Sequence, residues 1–115
     1  MMRWWLVVLV GLLFVVPRVE SAEQLIPTKA TWRYYDAGQA PPQDTNGRAW
    51  THPSYDDSTW STGSGMFGYG DPRETTLNEN TLTAYFRTNF VIDGNPDAIR
   101  ALHLQVMRDD GAVVY

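Results

Sequence analysis

The chain has 115 residues, a net charge of −4 and no cysteine. Its length fits a single domain. The basic side chains are spread singly along the sequence, which argues against nucleic acid as a partner because phosphate-backbone binding needs a clustered basic patch. Without cysteine the domain cannot rely on disulfides, so burial, a bound ion or neighbouring domains must hold it together.

The N-terminus has the features of a bacterial signal peptide. Arg3 precedes an uncharged apolar run over residues 4–16, which Pro17 ends. A membrane-spanning helix needs ~20 apolar residues, whereas a signal-peptide core needs roughly 7–15 behind a basic start. We therefore predict a signal peptide over residues 1–22, cut after Ser21 or after Ala22, and a secreted, periplasmic or cell-surface product without a stable membrane anchor. The alternative is an uncleaved N-terminal anchor.

The remaining sequence has the alternation of β-structure. Several windows after residue 22 show period-two patterns bounded by Gly, Pro, Asn and Asp. We predict a strand at 30–35, with Trp32 and Tyr34 on one face, and a long irregular stretch at 36–65. The clearest predicted strand is 82–92, whose apolar face is formed by Leu82, Ala84, Phe86, Phe90 and Ile92.

The last part of the chain predicts a hairpin. Residues 100–108 alternate with Leu102, Leu104 and Val106 inward, Asp109 to Gly111 resemble a hairpin turn, and 112–115 begin a return strand. With a short apolar piece at 66–69, this gives about five strands, whereas a ~100-residue sandwich has about seven. We expect an incomplete β-sandwich over residues 23–115. The alternative is a complete small domain with a frayed last strand.

Six short segments, in this order and spacing, resemble the galactose-binding-like jelly-roll β-sandwich. They are Leu25-Ile26-Pro27-Thr28, Thr31-Trp32-Arg33-Tyr34, Asp56-Asp57-Ser58-Thr59-Trp60, Gly68-Tyr69-Gly70-Asp71, Tyr85-Phe86-Arg87-Thr88-Asn89-Phe90-Val91 and Arg108-Asp109-Asp110-Gly111-Ala112-Val113-Val114-Tyr115. The version they resemble is the accessory module of large secreted bacterial proteins, among them metal-dependent phosphoesterases, glycoside hydrolases and proteins with lamin-tail domains.

The resemblance covers about residues 25–115 and carries implications for fold and function. It implies loops at one edge of the sandwich that bind sugars in many members and pack against a catalytic domain in others. In such proteins the strand at 113–115 continues into an Asn-Gly turn and further strands. The present sequence departs from the pattern over 72–83, where it is shorter.

No set of residues has the spacing of an active site. Residues 63–68 spell Gly-x-Gly-x-x-Gly, but they follow a Ser/Thr-rich loop and open no predicted helix, as a dinucleotide site requires. His52 and His103 stand alone, and no serine has a nucleophile-elbow pattern. Paired carboxylates such as Asp109 and Asp110 usually cap backbone amides in turns. We therefore predict no catalytic residue in this chain. Hydrolase activity elsewhere in the full-length protein stays an open alternative.

The loop over residues 36–65 carries the side chains best suited to a ligand. Small-molecule sites combine an apolar wall with a few polar groups, and a sugar ring can stack on an aromatic side chain. The predicted sugar-binding residues are Trp50, Tyr55, Arg48, Asp56 and Asp57. Alternatively, the aromatic side chains, above all Trp60, only pin the loop to the sandwich.

Calcium is the one metal that the acidic residues suggest. Ca²⁺ takes 6–8 oxygen ligands, and an Asp-rich loop can supply them. We name Asp36, Asp44 and Asp71 as candidate ligands of a structural calcium ion, although their spacing matches no standard calcium loop. No other cofactor is predicted.

Three functions stay open at the level of sequence. The first is a secreted accessory module that binds carbohydrate or glycan surfaces for a downstream hydrolase of the same polypeptide. The second is a structural spacer without a ligand, at the front of a secreted metal-dependent phosphoesterase. The third, an enzyme within these residues, is disfavoured because no nucleophile, metal cluster or cofactor loop is found.

Overall fold

A computed structural model describes residues 22–70 and 73–115. Within these ranges the chain is all-β, as predicted, with short strands, one 3₁₀ turn at Pro96–Ala98 and no α-helix. The strands are β1 (Thr31–Tyr35), β2 (Ser61–Ser64), β3 (Phe67–Gly68), β4 (Thr75–Thr76) and β5 (Tyr85–Arg87). The predicted signal peptide lies outside the described residues except for Ala22.

The described residues also bear on membrane crossing. Across 22–70 and 73–115, no helix has the length and apolar character that spanning a bilayer requires.

β1 is the central strand of a three-stranded antiparallel sheet with the order β2-β1-β5. In the pairing with β5, Arg33 lies opposite Arg87, Tyr34 opposite Phe86 and Tyr35 opposite Tyr85. Since cross-strand partners share a face, each face receives a defined set of side chains. The predicted separation of Tyr34 from Arg33 and Tyr35 onto opposite faces of β1 is confirmed.

The first face packs on the second, smaller sheet. The Phe67 ring of β3 lies 5.5 Å from the ring of Tyr34 and 4.9 Å from that of Phe86. β3 pairs with β4 in parallel, Phe67 opposite Thr75. Gly63 of β2 permits this approach, because a Cβ there would lie 2.6 Å from the Thr75 hydroxyl.

The loop between β1 and β2 covers part of the second face. Trp60 is 5% exposed and Tyr55 is 8% exposed, and among the described residues they are the most deeply buried apolar side chains. The Trp60 ring contacts the rings of Tyr35 at 5.4 Å and Tyr55 at 5.7 Å. Trp50 packs edge-on against Tyr85 at 5.1 Å. The aromatic core of the domain therefore lies between this loop and the sheet.

The strand predicted at 82–92 is formed only at Tyr85–Arg87. Leu82, predicted to face inward, is fully exposed. The reason lies in the preceding turn, where the Thr81 hydroxyl donates to the Asp36 carbonyl oxygen at 2.7 Å and the Thr81 amide donates to the Asn78 carbonyl oxygen at 3.0 Å. This turn holds the chain next to the end of β1, and Leu82 follows it before pairing begins.

The strands predicted at 100–108 and 112–115 are not formed. Leu102, Leu104 and Val106 are exposed instead of facing inward. A strand is stable only when a neighbour receives its backbone hydrogen bonds, and neither segment pairs with a described strand. The predicted turn survives as a bend at Asp109 and Asp110, with the positive φ (70°) on Asp110.

β2 lies inside a stretch that the sequence predicts to be irregular. Its residues, Ser-Thr-Gly-Ser, have little intrinsic strand preference. Pairing of Thr31 with Ser64 through Tyr34 with Ser61 imposes the extended conformation. Tertiary pairing here overrides local preference.

Candidate functional site

The second face of the main sheet is open beyond the end of the loop that covers it. A depression of about 380 Å³ lies there, lined by Thr31, Trp32, Arg33, Asp57, Thr62, Arg87, Thr88 and Asn89. The strand register explains its floor, because Arg33 lies opposite both Arg87 and Thr62. Alternation places the Trp32 side chain on the other face, so the side chains of the depression are mainly polar.

Asp57 and Arg87 form the inner wall of the depression. The Arg87 Nε donates to Asp57 Oδ2 at 2.8 Å, and the two side chains are 14% and 24% exposed. Nη1 of Arg87 donates to the carbonyl oxygens of Trp50 and His52, and its guanidinium carbon lies 5.3 Å from the centre of the Tyr55 ring. Through these contacts the single side chain of Arg87 connects the loop to β5.

Arg33 lies beside this pair and is less completely used by the protein. Its Nη1 donates to the Trp60 carbonyl oxygen at 3.3 Å and to the Thr62 hydroxyl at 3.0 Å. Its Nε lies 3.9 Å from Asp57 Oδ1, and the side chain is 42% exposed. A guanidinium carries five N–H donors in a planar fork. Arg33 therefore keeps donors that a ligand in the depression can reach.

Hydroxyl and amide groups complete the rim. Thr31, Thr62 and Asn89 are exposed, and Thr88 is half-buried with its hydroxyl donating to the Thr31 carbonyl oxygen at 3.2 Å. The depression thus offers a carboxylate, a guanidinium, hydroxyls and an amide within one concave surface. Such groups can exchange hydrogen bonds with a ligand that carries several hydroxyls.

The sugar-binding residues predicted on the loop are only partly brought together. Asp57 lines the depression, but Tyr55 is buried and donates its hydroxyl to the Pro42 carbonyl oxygen at 3.0 Å. Arg48 donates to the Ser54 carbonyl oxygen at 2.9 Å within the loop. Trp50 is half-buried against Tyr85. None of Tyr55, Arg48 and Trp50 is among the residues that line the depression.

Asp44 organises the loop from within. Its carboxylate accepts from the backbone amides of Asn46 at 2.9 Å, Arg48 at 2.8 Å and Asp56 at 3.0 Å. Burial opposes ionisation of Asp44, but these three amides and the Arg48 charge outweigh it and hold its pKa below the ordinary value. The turn they close needs Gly47 at a positive φ of 74°.

Asp56, predicted as a sugar-binding residue, caps the next turn. Its Oδ1 accepts from the Ser58 amide at 3.0 Å. Hydrogen bonds from the Ser58 side chain and backbone lower the pKa of Asp56, against smaller opposing effects of burial and of the Asp44 charge. The side chain is exposed and lies outside the lining of the depression.

The candidate calcium ligands do not converge in the parts of the chain that the structure describes. There, no group of three or more His, Cys, Asp or Glu side chains is placed to hold a metal ion. Asp36 accepts from the Asn78 amide at 2.8 Å through its carboxylate, and Asp44 holds backbone amides as described above. Asp71 lies outside the described residues. Structural calcium stays a prediction.

Asp57 is the only lining residue that sequence reasoning selected, and the residues it missed include Arg33, Arg87 and Asn89. The signal was present in the alternation, which places Arg87 and Asn89 on the polar face of the 82–92 strand and Arg33 on the face of β1 opposite Trp32. What the sequence lacked was the register that sets Arg33 directly opposite Arg87.

Comparisons with known proteins add no assignment to this geometry. No protein-family model, curated protein or solved structure matches the chain.

Proposed function

We propose that the chain is a non-catalytic module of a secreted bacterial protein and binds carbohydrate in the polar depression of its three-stranded sheet. In this proposal the module is accessory to a downstream hydrolase of the same polypeptide. The predicted signal peptide supports export. The resemblance to galactose-binding-like sandwiches supports an accessory role.

The observation that carries the proposal is the chemistry of the depression. Saccharides present hydroxyls that both donate and accept, so a concave surface that carries both acceptors and donors suits them. Asp57 supplies an acceptor and Arg33 supplies donors, while the hydroxyls and amide of the rim can do both. Asp57 and Arg33 are already held by protein contacts, so little side-chain entropy is lost on binding.

A glycan array followed by titration calorimetry tests the proposal. The full chain should bind at least one class of polysaccharide, and Asn89→Ala should weaken that binding about fivefold through loss of one hydrogen bond. Asn80→Ala is the matched control, because Asn80 is exposed and lies outside the depression. Its affinity should equal that of the wild type.

Two results would count against the proposal. Absence of binding to every polysaccharide on the array would refute carbohydrate recognition. Full affinity in Asn89→Ala together with loss of binding in Trp50→Ala would move the site to the loop.

A structural spacer is the second candidate, and one observation favours it. Tyr55 and Trp60 of the loop are buried in internal packing, as expected if the role of the loop is to complete the core. In this case the module docks a catalytic domain, for instance of a metal-dependent phosphoesterase, and needs no ligand. Deleting residues 23–115 from the complete polypeptide should then lower the thermal midpoint of the remainder, and an unchanged midpoint would exclude docking.

A further inference from the structure

We infer that the saccharide taken by the depression carries an acidic group, a carboxylate or a sulfate, and that Arg33 receives it. The inference rests on the proposed function and narrows its substrate class. It follows from the balance of charge in the depression, from the fixed orientation of Arg33 and from the different use of the two arginines.

The depression is a basic spot on an acidic protein. Its charged lining consists of Arg33, Arg87 and Asp57, whereas the chain as a whole has a net charge of −4. The Asp57 carboxylate is engaged by Arg87 Nε at 2.8 Å and is 3.9 Å from Arg33 Nε. One carboxylate thus stands against two guanidinium groups, and Arg33 holds the less compensated charge. A neutral sugar would leave that charge without a counterion from the ligand.

Arg33 is held in an orientation that suits the oxygens of a carboxylate or a sulfate. The contacts of Nη1 with the Trp60 carbonyl oxygen and the Thr62 hydroxyl fix one corner of the guanidinium. The remaining N–H donors of the guanidinium belong to a side chain that is 42% exposed, so a ligand can reach them. Guanidinium groups bind carboxylate and sulfate oxygens through paired N–H donors, and a fixed fork loses less entropy in doing so.

Arg87 does not compete for this role. Its Nε is bonded to Asp57 and its Nη1 to the carbonyl oxygens of Trp50 and His52, while Nη2 lies 3.5 Å from the Pro53 carbonyl oxygen. The Arg87 side chain is only 14% exposed, and its contacts connect the loop to the sheet. Arg33 is the ligand-facing member of the pair.

Matched saccharides test the inference with the full chain in a titration calorimeter. The carboxylate arm compares oligogalacturonate with its methyl ester, which keeps the sugar and removes the charge. The sulfate arm compares a carrageenan oligosaccharide with its desulfated form. We expect the acidic member of at least one pair to bind about tenfold or more tightly than its neutral partner. That preference should shrink as salt rises, since the contact is partly exposed.

Variants of Arg33 then locate the charge. Arg33→Gln should abolish the preference for the acidic saccharide, and Arg33→Lys should retain only part of it because a point charge replaces the planar fork. Arg100→Gln is the control: it removes the same charge from an exposed residue outside the depression and should leave the preference intact. If Arg33→Gln fails to fold, Arg33→Lys and the salt series decide the question.

The outcomes separate the inference from the function on which it rests. Equal affinity for acidic and neutral saccharides, or an unchanged preference in Arg33→Gln, overturns the inference and leaves carbohydrate binding in place. If Arg33→Gln does not fold, an unchanged preference in Arg33→Lys has the same consequence. Failure of every acidic and neutral saccharide to bind overturns the proposed function itself. A preference lost in Arg100→Gln would assign the acidic group to another surface and overturn the role of Arg33.

Discussion

The coupling between Arg87 and Asp57 should contribute measurably to the attachment of the loop to the sheet. Arg87→Met removes the guanidinium while keeping much of its apolar stem, and Asp57→Asn removes the carboxylate charge without changing its shape. A charge-assisted hydrogen bond contributes about 1.5–3 kcal/mol, whereas exposed ion pairs contribute about 0–1 kcal/mol. At 2.8 Å, with side chains 14% and 24% exposed, this pair lies between the two cases. We expect a coupling free energy of about 1–2 kcal/mol.

A double-mutant cycle in urea measures this coupling. Tryptophan fluorescence reports unfolding, because Trp50 and Trp60 both pack between the loop and the sheet. The control cycle pairs Arg33→Met with Asp57→Asn and should give below about 0.5 kcal/mol, since Arg33 Nε lies 3.9 Å from the carboxylate and its side chain is far more exposed. Equal coupling free energies in the two cycles would refute the conclusion that the Asp57 carboxylate interacts mainly with Arg87.

Three further outcomes follow from the structure and the sequence. Trp60→Ala should lower the free energy of unfolding by about 3–5 kcal/mol, as for other buried aromatic residues, and a loss under about 1 kcal/mol would mean that Trp60 is not a core residue. Folding lowers the pKa of Asp44, so the ionised carboxylate stabilises the fold above the ordinary value of 3.8, and this stabilisation is lost as pH falls through the lowered value. Thermal midpoints below about pH 4 should therefore fall less steeply with pH in Asp44→Asn than in the wild type. Parallel curves for the two proteins would contradict this. Intact-mass measurement after export from a bacterial host should find a product that begins at Ala22 or Glu23, and retention of the full N-terminus in the membrane fraction would support the anchor instead.

Local alternation predicted the parts of the fold in which a strand has a partner. In β1 it separated Trp32 and Tyr34 from Arg33, and in β5 it separated Phe86 from Arg87. The pairing of Tyr34 with Phe86 confirms these faces, and both rings contact Phe67. A period of two fixes the face of each side chain, which is why this much was readable in the sequence.

Pairing itself was not readable. The alternation over 100–108 is as regular as that in β1, yet no strand forms there because no described strand accepts its hydrogen bonds. β2 shows the converse, since Ser-Thr-Gly-Ser has no apolar alternation and is extended through its pairing with β1. Register and partner choice depend on residues distant in sequence.

The same distinction explains the candidate site. Composition directed attention to Trp50, Tyr55 and their polar neighbours because aromatic and acidic residues are concentrated in the loop. The fold uses Tyr55 internally and brings only Asp57 of the predicted set to the depression. Its companion Arg33 lies in a strand, and only the fold shows that they meet.

A ¹H–¹⁵N correlation spectrum of the full chain, recorded as oligogalacturonate and, in a second series, a carrageenan oligosaccharide are added, tests whether the depression is the binding site. We expect saturable shifts in the Thr31 amide, the Arg33 Nε–H and the Asn89 side-chain amide, with the Trp50 indole N–H nearly unmoved. Shifts confined to Trp50 and its loop neighbours, or a spectrum unchanged at high concentrations of both saccharides, would place the site elsewhere or exclude it.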